Sequence, residues 1–135
     1  MAQIYIDAAA SLKPKLACGG LIIKDDLLNS KESVLLGEMD NHEAEWAMLE
    51  FALKQAVKLK LTSIIVYTDS KIIVDTFDKG HVKNKVFKSY YDRVVPLTKA
   101  LDMFIITHTP RKNNRGADKL AKDRLYKERK KLNLN

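Results

Sequence analysis

The stretch Ile64-Ile65-Val66-Tyr67-Thr68-Asp69 determines the fold that the rest of the chain must fit. Four consecutive β-favouring residues are followed by a threonine and then by a carboxylate. An uninterrupted run of this kind is typical of a strand that is covered on both faces, as in a parallel sheet. Asp69 would therefore lie at the carboxyl end of that strand, where open α/β sheets bind their ligands.

The bulk composition predicts one globular domain spanning residues 1–135. Hydrophobic residues make up 46% of the chain and charged residues 30%, which is ordinary for a soluble protein. The single cysteine, Cys18, excludes an internal disulfide and fits a reducing compartment. No apolar run approaches the roughly 20 residues of a membrane span, and the N-terminus lacks the pattern of a signal peptide. We therefore expect a cytoplasmic protein without a membrane partner.

The formal net charge of +7 predicts attraction to polyanions, nucleic acid above all. Much of this surplus lies in residues 127–131, which read KERKK. Such a tail is equally typical of a helix end whose basic residues complement the helix dipole. Charge alone therefore leaves a nucleic-acid partner open.

Hydrophobic periodicity and turn residues predict the element order β-β-β-α-β-α-α-β-α. The predicted strands cover residues 3–7, 16–24, 33–39, 63–68 and 103–108, and the predicted helices cover residues 41–60, 70–78, 84–101 and 116–132. Asn41 is predicted to cap the first helix, and Gly80 to end the second. Pro96 predicts a kink or a break in the third helix. Ser11 and Pro14 predict a turn over residues 8–15.

This order predicts an α/β fold with a five-stranded mixed sheet. The first three strands, joined by short turns, form an antiparallel meander. Right-handed crossovers place the fourth and fifth strands parallel to the first, with helices on both faces of the sheet. Within the second strand, Gly19-Gly20 predicts either a β-bulge or a close approach of another backbone.

Glu45 interrupts the apolar face of the first predicted helix. At about 100° per residue, the apolar side chains of this helix form one stripe, which contains Met48, Leu49, Ala52, Ala56 and Leu59. Glu45 falls within that stripe, one turn before Met48. A carboxylate on an inward face is costly unless it is paired or binds a metal. The alternative is that Glu45 only stabilises the helix dipole as an acid near the N-terminus.

Three aspartates can each be explained in two ways. Asp7 ends the first strand, where turn residues are common. Asp69 precedes a helix and could be its N-cap, and Asp118 could form a surface ion pair with Lys122 at i+4. Taken together with Glu45, however, two carboxylates would end neighbouring parallel strands. The other two would lie near the starts of helices packed on that sheet.

Four convergent carboxylates repel one another and raise their own pKa values unless a cation compensates them. Mg²⁺ prefers oxygen ligands and keeps several waters, so it suits an open site that shares ligands with a substrate phosphate. Two such ions, about 3.5–4 Å apart, stabilise both the attacking and the leaving oxygen of an in-line displacement. A basic protein with an acidic metal cluster is therefore predicted to cleave phosphodiester bonds.

Four segments carry these candidate residues. They are Ile4-Tyr5-Ile6-Asp7, Asn41-His42-Glu43-Ala44-Glu45, Tyr67-Thr68-Asp69-Ser70, and His108-Thr109-Pro110-Arg111 followed by Asn114 and Ala117-Asp118-Lys119-Leu120-Ala121. Together they resemble the type 1 ribonuclease H family, in its bacterial and archaeal branch. Any one segment alone is a weak signal, but the combination is specific and runs nearly end to end. The resemblance implies a ribonuclease H-like fold.

The resemblance also implies an endoribonuclease that cleaves the RNA strand of RNA·DNA hybrids, leaving 5′-phosphate and 3′-hydroxyl ends. Two Mg²⁺ or Mn²⁺ ions would be held by four carboxylates: Asp7, Glu45, Asp69 and Asp118. The hybrid would be contacted by four further residues: Asn41, His42, Ser70 and Asn114. A catalytic basic residue precedes the last aspartate in the family; His108 and Arg111 both qualify, and we favour Arg111. We expect a monomer without an obligate protein partner.

Two departures from the family pattern support an alternative. Ala8 replaces the glycine that usually follows the first aspartate, and the usual Gly/Asn/Pro-rich turn after it is altered to SLKPK at residues 11–15. The region after the third aspartate's helix is also too short for the basic protrusion of some members, which implies weaker hybrid binding. The alternative is a weakly active or inactive module that keeps the fold and binds hybrid or RNA. A partner-binding domain without metal fits less well because Glu45 faces inward. An exonuclease-like or integrase-like nuclease fits less well because of the last helix and the small size.

Overall fold

The computed structural model describes residues 1–133 and has the predicted element order, with one additional 3₁₀ helix. Within these residues the strands are β1 (Ala2–Leu12), β2 (Lys15–Lys24), β3 (Asn29–Gly37), β4 (Ser63–Thr68) and β5 (Met103–His108). The α-helices are α1 (Asn41–Lys58), α2 (Lys71–Lys79), α3 (Lys85–Lys99) and α4 (Arg115–Asn133), and the 3₁₀ helix covers Arg111–Asn113. None of the helices in the described range is both long and apolar enough to span a bilayer.

The strands form one mixed sheet in the order β3-β2-β1-β4-β5. β1, β2 and β3 are antiparallel neighbours, whereas β1, β4 and β5 run parallel, which confirms the predicted fold class. Tyr5 of β1 lies opposite Tyr67 of β4. Asp7 and Asp69, each two residues further along, therefore reach the same edge of the parallel part of the sheet.

Helices cover both faces of the sheet, as predicted. Gly19 and Gly20 are consecutive in β2, so side chains at these positions would point to opposite faces. A Cβ atom on Gly19 would collide with the side chain of Met48 in α1, and one on Gly20 with the carbonyl oxygen of Ala117 in α4. The glycine pair therefore marks the close approach of one helix on each side.

The core lies between α1 and the sheet. It consists of fully buried side chains from both, among them Trp46, Leu49, Leu53, Ile4, Ile6 and Val66. Each contributes on the order of 2 kcal/mol by leaving water. Trp46 also stacks with Phe77 of α2 and Phe87 of α3, which attaches these helices to the same face. Leu59 departs from the predicted stripe and is 42% exposed, because it is the C-cap residue of α1.

β1 continues through residues 8–12, where the sequence predicts a turn. These residues pair with β2, from Ala8 opposite Gly19 to Leu12 opposite Lys15. The turn prediction was wrong because the small alanines after Asp7 have little strand propensity of their own. Their backbone groups are paired by the ten-residue strand β2, and this tertiary pairing overrides local propensity.

Smaller differences from the predicted elements occur in β3 and α3. β3 runs from Asn29 to Gly37 instead of over residues 33–39, because its ladder with β2 continues to Lys24. The irregularity in that ladder lies between Ala17 and Cys18, next to the glycine pair. α3 is a single helix with Pro96 in its last turn, so the predicted break does not occur.

Candidate metal centre

Three carboxylates converge where β1 and β4 run side by side. Asp7 lies in β1, Asp69 directly follows β4, and Glu45 lies in the second turn of α1. Each offers an oxygen, and these oxygens lie within 4.8 Å of one another. Asp7 and Glu45 are only 5% and 8% exposed. Glu45 therefore faces inward, as its place in the apolar stripe predicts.

The N-cap of α1 lies one residue before the position predicted from the sequence. Asp40, and not Asn41, is the N-cap, because its Oδ1 accepts a hydrogen bond from the Glu43 N–H at 2.8 Å. An acid followed three residues later by glutamate is a capping-box pattern, so the sequence did contain this signal. Asn41 instead directs its Nδ2 toward Glu45 Oε1 at 3.4 Å.

Ser70, and not Asp69, caps α2. The Ser70 hydroxyl oxygen accepts a hydrogen bond from the Ile73 N–H at 3.4 Å, and the Ser70 N–H donates to Thr68 Oγ1 at 3.1 Å. The capping alternative for Asp69 is therefore wrong. Its carboxylate remains available to the acidic cluster.

Asp118 joins the cluster from the opposite face of the sheet. It lies in the first turn of α4, where its N–H donates to the Asn114 carbonyl at 3.1 Å. Its side chain contacts Asp7 and also pairs with Lys122, with 3.1 Å between Oδ2 and Nζ. The surface ion pair exists, but it does not remove Asp118 from the site. Asp118 and Lys122 line a cavity of about 260 Å³ together with Asp7.

The cluster raises the pKa of both buried carboxyls. The pKa of Asp7 is raised to about 7, mainly by burial and then by the charge of Asp69. The Ala8 N–H, which donates to Asp7 Oδ1 at 2.9 Å, acts in the opposite direction and lowers this pKa. Burial, followed by the charges of Asp69 and Asp7, raises the pKa of Glu45 to about 8. Both carboxyls therefore resist ionisation near neutral pH until a cation compensates them.

The donor set suits a hard divalent cation. Every ligand atom offered is a carboxylate oxygen, which Mg²⁺ and Mn²⁺ prefer. Within the described residues, one ion pair involves a member of the triad Asp7, Glu45 and Asp69: Arg111 Nε lies 3.7 Å from Asp69 Oδ2. The Arg111 side chain is 76% exposed, so it compensates the cluster only weakly. The excess negative charge fits a divalent cation held by Asp7, Glu45 and Asp69.

Arg111, and not His108, borders the acidic cluster. Arg111 lines the cavity beside Asp7 and also a second cavity, of about 250 Å³, beside Asp69. His108 ends β5 opposite Thr68, is exposed, and lines neither cavity. Of the two candidates, Arg111 is therefore the one that lies beside the carboxylates.

Three of the four residues predicted to contact substrate lie together. Asn41, His42 and Ser70 line the second cavity. Asn114 lies elsewhere, because it is buried and its Nδ2 donates to the Ile6 carbonyl at 2.8 Å. This hydrogen bond attaches the start of α4 to β1, so Asn114 helps to position the carboxylates.

Several residues in the cavity walls were not predicted from the sequence. Lys71 and Ile72 line the second cavity, and Ala10 and Leu125 line the first. Lys71 directly follows Ser70, so its place beside the cluster could have been found from the sequence. Leu125 could not, because only the packing of α4 against the extended part of β1 brings it there.

Comparisons with known proteins match almost the whole chain. A family model described as reverse transcriptase-like matches residues 6–124. A protein of Enterococcus faecalis named "Putative hydrolase EbsB" is 34% identical over 129 residues, covering 94% of this chain and 96% of its own.

Solved ribonuclease H structures are similar over the same length. Ribonuclease H1 from the halophilic archaeon Halobacterium salinarum has a TM-score of 0.85 at 25% identity, over 93% of this chain and 98% of its own. LC11-RNase H1, solved in complex with an RNA/DNA hybrid, has a TM-score of 0.82 at 26% identity, over 91% and 95%. An N-terminal RNase H domain from Mycobacterium tuberculosis has a TM-score of 0.82 at 26% identity, over 90% and 96%. The acidic cluster of this chain is formed by residues that the sequence motifs single out. The chain belongs to the type 1 ribonuclease H family.

Proposed function

We propose that the protein is a metal-dependent endoribonuclease that cleaves the RNA strand of RNA·DNA hybrids. The observation that carries this proposal is the group of three carboxylates, Asp7, Glu45 and Asp69, whose oxygens lie within 4.8 Å of one another at the open edge of the sheet. The similarity to LC11-RNase H1, which was solved with such a hybrid, supports the substrate.

The carboxylates of the cluster and the neighbouring Arg111 would have different roles in the reaction. The three carboxylates and Asp118 would hold two Mg²⁺ or Mn²⁺ ions. When bound, such ions would supply an activated water and stabilise the charge that develops on the attacked phosphate. Attack of this water on phosphorus, with departure of the 3′-oxygen, would leave the 5′-phosphate and 3′-hydroxyl ends that the family resemblance implies. Arg111, beside Asp69, would neutralise charge on the departing strand.

Substrate recognition would fall to the second cavity. Asn41, His42 and Ser70 line it next to Glu45 and Asp69, so a strand bound there would pass directly over the metal ligands. Discrimination would rest on the 2′-hydroxyl, which distinguishes RNA from DNA at a given position. The positive net charge would bind the phosphate backbones.

The alternative is a module that binds hybrid or RNA and cuts poorly. Ala8, in place of the usual glycine, favours it if the methyl group hinders the substrate. Ala8 is buried and belongs to the hydrophobic cluster between α1 and the sheet, although it also forms part of the wall of the first cavity. A methyl group that packs mainly into the core leaves the active enzyme as the better proposal.

Incubation with a labelled RNA·DNA hybrid tests both candidates. With Mg²⁺ or Mn²⁺ we expect cleavage of the RNA strand of the hybrid, and none of matched single-stranded RNA or duplex DNA. Asp69→Asn is the control: it should abolish cleavage and leave thermal stability unchanged or raised, because a like-charge cluster is relieved. Tight, salt-sensitive hybrid binding without cleavage would establish the alternative.

A further inference from the structure

The carboxylate that stands apart from the close triad has the shortest ion pair in the acidic cluster. Asp118 is the one predicted metal ligand outside the group of oxygens within 4.8 Å of one another. Lys122 Nζ lies 3.1 Å from Asp118 Oδ2, closer than the 3.7 Å between Arg111 and Asp69.

Helix geometry brings Lys122 to the wall of the first cavity. Lys122 follows Asp118 by one turn of α4, a spacing that brings the two side chains onto one face. Both residues line the cavity that also contains Asp7 and Glu45. A cation at hydrogen-bonding distance from an Asp118 oxygen occupies space that a divalent ion needs if it is to use the same oxygen.

A divalent ion can displace Lys122 from its ion pair with Asp118. The Lys122 side chain is 61% exposed, and exposed ion pairs of this kind contribute no more than about 1 kcal/mol. A divalent ion carries twice the charge and binds several oxygens at once, so it can replace the ammonium. The Lys122 side chain is then free to turn toward solvent or toward a phosphate.

We propose that Lys122 is a positioning residue that serves as a built-in counter-cation for Asp118 and competes with the second divalent ion. This inference rests on the proposed function. Within the described residues, Asp7, Glu45 and Asp69 would bind the first ion against only the longer, exposed Arg111–Asp69 pair. The second ion uses Asp118 and binds more weakly, because it must displace Lys122 and is repelled by its charge.

Mn²⁺ titration of the protein without nucleic acid tests the proposal, with free Mn²⁺ followed by electron paramagnetic resonance and heat followed by calorimetry. In the wild type we expect one tight and one weaker binding constant. Lys122→Met should tighten the weaker constant about fivefold and leave the tight one unchanged, since an exposed pair of about 1 kcal/mol is removed. Lys122→Arg should restore the weaker constant of the wild type.

Thermal stability gives a second readout that a merely structural lysine would not produce. Without metal, Lys122→Met should melt at a lower temperature than the wild type, because Asp118 loses its counter-charge beside Asp7. At saturating Mn²⁺ this difference should disappear, since the bound ion replaces the ammonium and stabilises the folded state.

Lys119→Met is the matched control. Lys119 forms an i,i+4 ion pair with Asp123 on the same helix, with 2.9 Å between Nζ and Oδ2, but lines neither cavity. It should change neither binding constant. Identical constants in the wild type and Lys122→Met, or the same change in Lys119→Met, would overturn the role of Lys122 and leave the ribonuclease proposal standing. Retention of both constants in Asp69→Asn would overturn the metal site itself.

Discussion

Glu45 and Glu50 lie on the same helix, and their surroundings are opposite. Glu50 faces α3, where Arg93 donates from Nε to Oε2 at 2.8 Å and from Nη2 to Oε1 at 3.3 Å, and Lys54 adds a contact at 3.5 Å. Burial raises the pKa of Glu50, but Arg93 and Lys54 outweigh it and lower the pKa overall. Glu45 has Asp69 and Asp7 as neighbours, and its pKa is raised to about 8.

The difference shows how a structural carboxylate can be told from a functional one. A charge matched by the chain's own cations stabilises the packing of α3 on α1. A charge left among like charges destabilises the fold, and it is retained where something outside the chain compensates it. The two glutamates share residue type and helix, although Glu45 is buried and Glu50 is half-buried. The sign of the pKa shift separates them: burial and like charges raise the pKa of Glu45, whereas Arg93 and Lys54 lower that of Glu50.

The largest expected effect is the loss of hybrid cleavage when Glu45, but not Glu50, is neutralised. Glu45→Gln should lower the rate of hybrid cleavage at saturating Mn²⁺ by about 10³-fold, because metal stabilisation of the transition state is worth several kcal/mol. Glu50→Gln, five residues away, should leave the rate unchanged. Single-turnover cleavage measures both. Equal losses in the two variants would mean that the assay reports the integrity of α1 instead of metal binding.

The next effect is the pH dependence of stability without metal. Because the folded-state pKa is about 7 for Asp7 and about 8 for Glu45, the folded protein keeps protons that the unfolded chain releases from about pH 4 upward. Stability should therefore fall as the pH rises from about 4 to 8. Melting temperatures in a chelator, measured across this range, should show the decline.

Two comparisons decide whether the cluster causes this decline. The double variant Asp7→Asn/Glu45→Gln should flatten it, and Mg²⁺ or Mn²⁺ should restore stability at the alkaline end. A decline that persists unchanged in the double variant would assign the pH dependence to other groups.

The convergence of the acidic side chains could be predicted from the sequence, but the identity of every residue around them could not. β4 and β5 begin and end where predicted, because their apolar runs are bounded by polar residues. Asp7 and Asp69 meet because neighbouring parallel strands reach the same sheet edge. The position of Leu125 was not predictable, since it depends on a stretch of β1 whose alanines have weak propensity. The partners of Glu50 depend on how α3 packs, which no local pattern specifies.

A smaller effect should distinguish the two candidate basic residues. Arg111→Ala should lower the cleavage rate constant about tenfold, because it removes the positive charge next to Asp69. His108→Ala should leave the rate unchanged, since His108 lines neither cavity. Cleavage rates at saturating hybrid, compared with hybrid affinity, separate a role in the reaction from a role in binding. A larger loss for His108→Ala would reverse the assignment.

The smallest effect concerns the compensated glutamate. Glu50→Gln should lower the free energy of unfolding in urea by about 1 kcal/mol at neutral pH, since solvent around the half-exposed Arg93 side chain weakens the pair. Because the pKa of Glu50 is lowered from its ordinary value of 4.5, this contribution is present above that value and is lost as the pH falls through the folded-state pKa. The wild type and the variant should therefore converge in stability in acid. In a double-mutant cycle, Glu50→Gln/Arg93→Gln should lose less than the sum of the single losses; strictly additive losses would show that the two side chains do not interact.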